Sequence, residues 1–206
     1  MKTTASVLAI ALCLAASAGA AQAQSLDNNQ RNNATIKATL NATIQGVSDD
    51  VAVTSAAIAN SFSATGGTGS SLATLNNYQN FWGDARSDLS ASISNVHDDV
   101  SVTSAAIANS ASIEADWVGT IHNTQLAGYD PTSTLNATLV NVGDVAMTSA
   151  ALSNSASIDA DFGRLASFQA NNAGVYGNMN ATVRDVRGSV TATTAAIGNS
   201  LSVTGF

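Results

Sequence analysis

From Ile36 to Gln45 the chain alternates strictly. Ile36, Ala38, Leu40, Ala42 and Ile44 are apolar, and Lys37, Thr39, Asn41, Thr43 and Gln45 between them are polar. A period of two is that of a strand with one buried face. The same face returns as Leu89-Ala91-Ile93, Leu135-Ala137-Leu139 and Met179-Ala181-Val183. A second alternation puts Ile58, Asn60, Phe62 and Ala64 on one side and Ser61 and Ser63 on the other. Its outward serines recur at Ser110 and Ser112, Ser155 and Ser157, and Ser200 and Ser202. Between the two stretches "GVSDDVAV" reads as a turn at the Asp pair followed by a short Val-x-Val strand.

A helix competes for the same residues, because Ile44, Val47, Val51, Thr54 and Ile58 also fit a heptad-like spacing. Val, Thr, Ser and Asn are poor residues for a helix interior, however, and the flanking Ser/Thr positions alternate by two. Strands are the reading adopted.

These stretches belong to a longer repeat. "TSAAIANS" at 54–61 comes back as "TSAAIANS", "TSAALSNS" and "TTAAIGNS". The full copies are 30–64, 79–113, 125–158 and 169–203, in register apart from one residue missing before Asp144. "TGGTGSSLATLNNY" is read as the longest connector. The expected fold is all-β: a β-solenoid, or stacked strand–turn–strand repeats, of four copies of about 45 residues.

Each copy sets one polar side chain on an otherwise apolar face: Asn60, Asn109, Asn154 and Asn199. A buried amide costs free energy unless bonded. In an in-register stack each Asn can bond the Asn above and below, and Gln30, Gln79, Gln125 and Gln169 offer a second structural ladder. The alternative is that each amide caps a local turn. Trp117, Phe162 and Phe206 follow the repeated Asn by seven or eight residues and are expected to plug the wide end of each coil, a sugar-binding platform being the weaker reading.

Composition narrows the function. The first 23 residues have Lys2, an apolar run from Val7 to Ala16, and Ala21 and Ala23 before Gln24, the pattern of a secretory signal peptide (residues 1–23) preceding a single β-repeat domain, 24–206. An acylated Cys13 is disfavoured by Leu12 before it, and removal of this lone cysteine leaves no thiol, disulfide or thiolate metal site. Without Lys2, six basic residues stand against fourteen acids, a net charge of −8. That excludes nucleic acid and anionic membrane surfaces as partners, and no later apolar run spans a bilayer. Charged residues are 10% and aromatics 5%. A core so rich in alanine buries little area per residue, so the fold must pack small side chains closely and supply many backbone hydrogen bonds.

Sites of chemistry are scarce. Asp49-Asp50, Asp98-Asp99, Glu114 with Asp116, and Asp159 with Asp161 invite a calcium reading. The first pair dwindles to Asp144 and then to Gly188-Ser189, and no calcium-loop spacing occurs, so solvated turn carboxylates are preferred. His97 and His122 occupy non-equivalent positions outside any nucleophile or metal motif, and "GxSxG" is absent. No catalytic, cofactor or metal residue is assigned, and an enzyme is not expected. "NAT" at Asn33, Asn41, Asn136 and Asn180 matches a glycosylation acceptor, but the repeat alone explains its placement.

The leader, the lack of a mature cysteine and the tandem units rich in Ser, Asn, Gln, Thr and Ala resemble the curlins and the surface-fibre or holdfast-anchoring proteins of Gram-negative bacteria. The repeat is looser than a curlin's, keeping one register-matched Gln and one Asn per copy, as in Gln79 and Asn109. The resemblance implies export across the outer membrane, self-association outside the cell and a role in adhesion or biofilm matrix. The expected function is therefore a secreted structural subunit or adhesin. Its partners would be further copies, joined head to tail or as a fibre, with other surface proteins or glycans beside them. The rival is a soluble solenoid that binds glycans or ice, Thr35, Thr39 and Thr43 being the face for ice and Ser90, Ser92 and Ser94 its interruption in the second copy.

Overall fold

A computed structural model describes residues 24–66 and 69–205. The expected signal peptide at residues 1–23, with Cys13, and Phe206 lie outside the described residues. Every regular element is a strand, and every pairing between strands is parallel. The heptad-like spacing does not produce a helix.

The chain winds through four coils, each made of three strand runs. Coil 1 is β1 (Ser25–Asn32), β2 (Ile36–Val47) and β3 (Val51–Thr65). Coil 2 is β4 (Ser71–Phe81), β5 (Ala85–Val96) and the first half of β6 (Val100–Ala127). The second half of β6 opens coil 3, which continues through β7 (Thr132–Val142) into β8 (Val145–Asn171). The second half of β8 opens coil 4, completed by β9 (Tyr176–Val186) and β10 (Val190–Thr204). Like runs stack on like: β2-β5-β7-β9 form one sheet, and the remaining runs form the other.

The third run corrects the sequence reading, which took residues 65–78 as a connector. From Ser71 the segment is β4, and it pairs with both β1 and β6. Its buried positions are Leu75, Asn77, Gln79 and Phe81. Two of those four are amides, which hides the period of two from a pattern that counts apolar residues.

The inner side chains divide into three clusters. Leu89, Ile93, Val100, Val102, Leu135 and Leu139 pack between the β2-type sheet and the first halves of β3, β6 and β8. Leu75, Ile113, Val118, Ile121 and Ile158 fill the opposite end. Phe81, Ala85, Ala108 and Ala127 sit between them. Each fully buried Leu or Ile contributes ~1.5–3 kcal/mol, and small alanines let the opposed sheets approach where the larger residues are not needed.

Two local features shape each coil. Gly46, Asn95, Asn141 and Asp185 stack just before the turn, all with positive φ, at 68° for the glycine and 54° for the others. Only Gly, Asn and Asp enter that region at small cost, which is why a strand otherwise full of β-branched residues carries them there. The second feature is a phase change. Ala57 and Asn60 both face inward, so alternation breaks between them, and the ladder pairing skips Ala59. Ile58 was expected on the inner face with Asn60; the break turns it outward, with Ile107, Leu152 and Ile197 in the same row.

Candidate functional site: the amide ladders and the outer rows

The corner after Ala57 carries Asn60, and coil by coil the four asparagines join. Asn60 Nδ2 donates to Asn109 Oδ1, Asn109 to Asn154 and Asn154 to Asn199, each at 2.8 Å. The second N–H of Asn109 and Asn154 goes to a backbone carbonyl, Leu126 O and Ala170 O, also at 2.8 Å. The glutamines join in the opposite direction. Gln79 Nε2 donates to Gln30 Oε1 at 2.9 Å, Gln125 to Gln79 at 2.8 Å and Gln169 to Gln125 at 2.6 Å. Their other N–H reaches across the coil to Ser61, Ser110, Ser155 and Ser200 carbonyls at 2.7–2.9 Å. Asn109, Asn154, Gln79 and Gln125 are fully buried, so the bonds meet the cost of burying an amide.

Three further polar stacks make bonds that the sequence reading did not assign, and of these it had named only the turn carboxylates, as solvated groups. Asn28, Asn77, Asn123 and Ser167 form a third side-chain ladder at 2.6–2.9 Å. Ser87 bonds Ser55 and Ser104, and Ser133 bonds Ser149, making a buried serine band beside the first apolar cluster. The turn carboxylates form the third. Asp50 accepts from Asp99 N at 3.1 Å and Asp99 from Asp144 N at 3.3 Å, while Asp144 accepts from both the backbone and hydroxyl of Ser189. Those two bonds from Ser189 hold the Asp144 carboxyl below the usual carboxylate range. A positional count across copies could have found all three, because the signal is recurrence at a fixed offset and not hydrophobicity.

The aromatics are placed differently from the expectation. Trp117 is 47% exposed and plugs nothing. Asp116 is an extra residue at a bulge between Ala115 and Trp117, which shifts the count, so Phe162 shares a row with Val118 and Trp117 pairs with Asp161. Phe162 packs against the second apolar cluster. Phe168, 60% exposed, lies within β8, and three other exposed rings sit where the β1-type runs turn toward the β2-type sheet. Trp82 (48% exposed) and Tyr129 (51%) meet edge to face at 6.3 Å, and Tyr176 is exposed at the equivalent turn of coil 4.

His97 Nδ1 lies 2.9 Å from Asp98 Oδ1, both side chains largely in solvent. With no nucleophile beside it, this pair is a surface contact. The outward residues of the corner strands are more informative. Thr54, Thr103, Thr148 and Thr193 form one unbroken row; Ala56, Ala105, Ala150 and Ala195 form the next. Past the corner, Ser61, Ser110, Ser155 and Ser200 form a third, and Ser63, Ser112, Ser157 and Ser202 a fourth.

The sequence profile of the family described as holdfast attachment protein D matches residues 1–161. The chain belongs to that family. The match spans the first three coils and ends where coil 4 begins, and it supports the holdfast side of the resemblance drawn from the sequence, without supporting the curlin side. Membership gives the protein a role in surface attachment, at the cell surface, of a structural and not an enzymatic kind. No curated protein and no solved structure matches. Among the described residues no helix is long and apolar enough to cross a membrane.

Proposed function

We propose that the holdfast attachment family member described here is an exported structural subunit that works by joining other copies of itself into an extended surface layer or fibre. The observation that carries this reading is the uneven fidelity of the outer rows. Inner residues recur because packing demands it, but an outward side chain answers to no such demand. On the β2-type sheet the outward rows have diverged, to Thr39-Asp88-Thr134-Asn178 and Asn41-Ser90-Asn136-Asn180. Four outward rows of the corner strands, one Thr, one Ala and two Ser, are identical in all four coils, while the first row of those strands, Ala52-Ser101-Ala146-Thr191, has diverged. Both faces come from the same repeat, so a shared origin does not explain the difference. A surface that presents one chemistry at each strand spacing suits a partner with the same period, and another copy has that period.

The test is sedimentation velocity of the purified protein across a range of concentration, with electron microscopy of the same samples. Concentration-dependent growth into elongated particles is expected. A strict monomer throughout would overturn self-association and leave the family role to another partner. The half-exposed Trp82, Tyr129 and Tyr176 favour one such second reading, a glycan stacked on their ring faces. Quenching or shifting of Trp82 fluorescence by added polysaccharide, lost in Trp82→Ala, would support it.

A further inference from the structure

The two ends of the coil stack differ, and three independent features make them complementary. Polarity of the ladders is the first. The asparagine ladder donates from coil 1 toward coil 4, and the glutamine ladder donates from coil 4 toward coil 1. Coil 1 therefore ends on an Asn60 Oδ1 with no donor among the described residues, and on a second N–H of Gln30. Coil 4 ends on the reverse pair, an amide N–H of Asn199 held only by a 3.5 Å contact to Gln169 O, and the Oε1 of Gln169. Translating one molecule along the stack sets Asn199 Nδ2 against Asn60 Oδ1 and Gln30 Nε2 against Gln169 Oε1.

Among the described residues nothing caps coil 4. Val190 and Leu201 occupy the inward rows of Val51 and Phe62, yet are 50% and 46% exposed. Met179, Val183 and Val186 are only partly buried. A terminal repeat of a soluble solenoid normally ends in a polar cap, and these rows end in open apolar side chains. Seated on coil 1, they would continue onto Leu40, Ile44 and Val47, which are partly buried in turn.

Charge is the third feature. Coil 4 is the one positive segment, with Arg164, Arg184 and Arg187 against Asp185, net +2, of which the Arg187 guanidinium reaches back to the Val96 and His97 carbonyls of coil 2 and leaves Arg164 and Arg184 nearer the end. Coil 1 carries Asp27, Asp49 and Asp50 against Arg31 and Lys37, net −1.

We propose that copies of this chain stack head to tail, coil 4 of one molecule seated on coil 1 of the next, with both amide ladders running unbroken across the junction. The proposal rests on the self-association reading and gives it a direction. A heterologous contact that repeats by translation does not close, so it yields a filament. Like ends cannot substitute, since turning one molecule over reverses its strands and takes Asn199 and Gln169 out of register.

Two variants block one end each and together remove one internal contact, the 3.5 Å one from Asn199 Nδ2 to Gln169 O. Asn199→Asp keeps the acceptor used by Asn154 and replaces the outward N–H with a carboxylate facing Asn60 Oδ1. In β1, Gln24 O accepts from Ala73 N and Asn32 O from Trp82 N, so even-numbered residues bond β4 and the N–H of Asn29 points to the open edge. Asn29→Pro removes that edge donor alone. Each variant by itself is expected to raise the concentration needed for growth at least about tenfold. An equimolar mixture is expected to stop at a one-to-one dimer, joined through the two unblocked ends. Asn178→Asp, which adds the same charge to the diverged outward row that already holds Asp88, should grow like wild type, and thermal melting of all three variants checks that each is folded. If wild type grows and the folded end variants grow equally well, or if either variant dimerises alone, the head-to-tail assignment fails while self-association stands. If wild type never grows, the broader reading fails first.

Discussion

At the scale of single residues, the ladders make a sharp distinction between neighbours in sequence. Asn109 is fully buried, with both N–H groups and its carbonyl engaged, while Ser110 next to it faces outward. Asn109→Ala removes one member and leaves Asn60 Nδ2 and Asn154 Oδ1 unmet. The expected loss is ~1–3 kcal/mol, because a buried group without a partner costs its full desolvation. Ser110→Ala should stay within about 0.5 kcal/mol. Urea unfolding of both variants decides the matter, and equal midpoints would remove the ladder's structural role. Asp144 supplies a residue-scale pH effect. Its folded-state carboxyl titrates lower than an unfolded Asp because Ser189 bonds the charged form. A depressed pKa contributes stability that is present above the unfolded carboxylate range and lost as pH falls through the folded value. Hydrogen exchange should therefore show the Ser189 amide opening as the solution is acidified into that range. In Asp144→Asn the same amide should exchange faster at neutral pH and lose its acid dependence.

At the scale of the strand run, the alternations of β2, β5, β7 and β9 were legible because their inner faces are Leu, Ile, Val and Ala. The turn at the Asp pair was legible for a chemical reason, since Asp favours turns and Val resumes the strand. Even the missing residue before Asp144 has a visible physical trace. Coil 2 turns through His97-Asp98-Asp99 and coil 3 through Gly143-Asp144, and a Cβ at Gly143 would overlap the carbonyl of Asp98. What the sequence concealed was the β4-type run, whose inner face mixes Leu75 and Phe81 with Asn77 and Gln79. The corner at Ala59 was hidden too, because Ala on either face looks the same. The left-handed stack makes a prediction at this scale. Asn95→Gly should be nearly neutral, whereas Asn95→Val forces a β-branched residue to φ 54° at a cost of ~1–2 kcal/mol. It also removes the acceptor of the 2.8 Å bond from Asn141 Nδ2. Chemical denaturation of the two variants separates the backbone requirement from loss of the side chain.

At the scale of the whole molecule, charge is distributed so that end contacts and side contacts respond oppositely to salt. Residues 67–161 hold ten acids against Arg86 alone, so the flanks of coils 2 and 3 are strongly negative while coil 4 is positive. Two rods side by side repel along those flanks, whereas coil 4 meeting coil 1 is an attraction of opposite sign. Ionic strength near 0.1 M shortens the reach of both to ~10 Å. The end contact also has apolar rows and amide ladders, which salt does not screen, so it survives. Lateral contact has been opposed mainly by charge, and once screened it can use the outward rows of Ala105 and Ile107 with their equivalents, an apolar stripe that runs the length of the stack. Low salt should thus give thin single filaments and higher salt thicker bundles, measured as particle width by electron microscopy and as mass per length by scattering. Ile107→Lys with Leu152→Lys places charge in the middle of that stripe without entering the core. It should abolish bundling at high salt and leave filament length unchanged. Bundles that persist in this double variant would move the lateral contact to another face, and filaments that shorten with salt would mean that charge, not the continued core, holds the ends together.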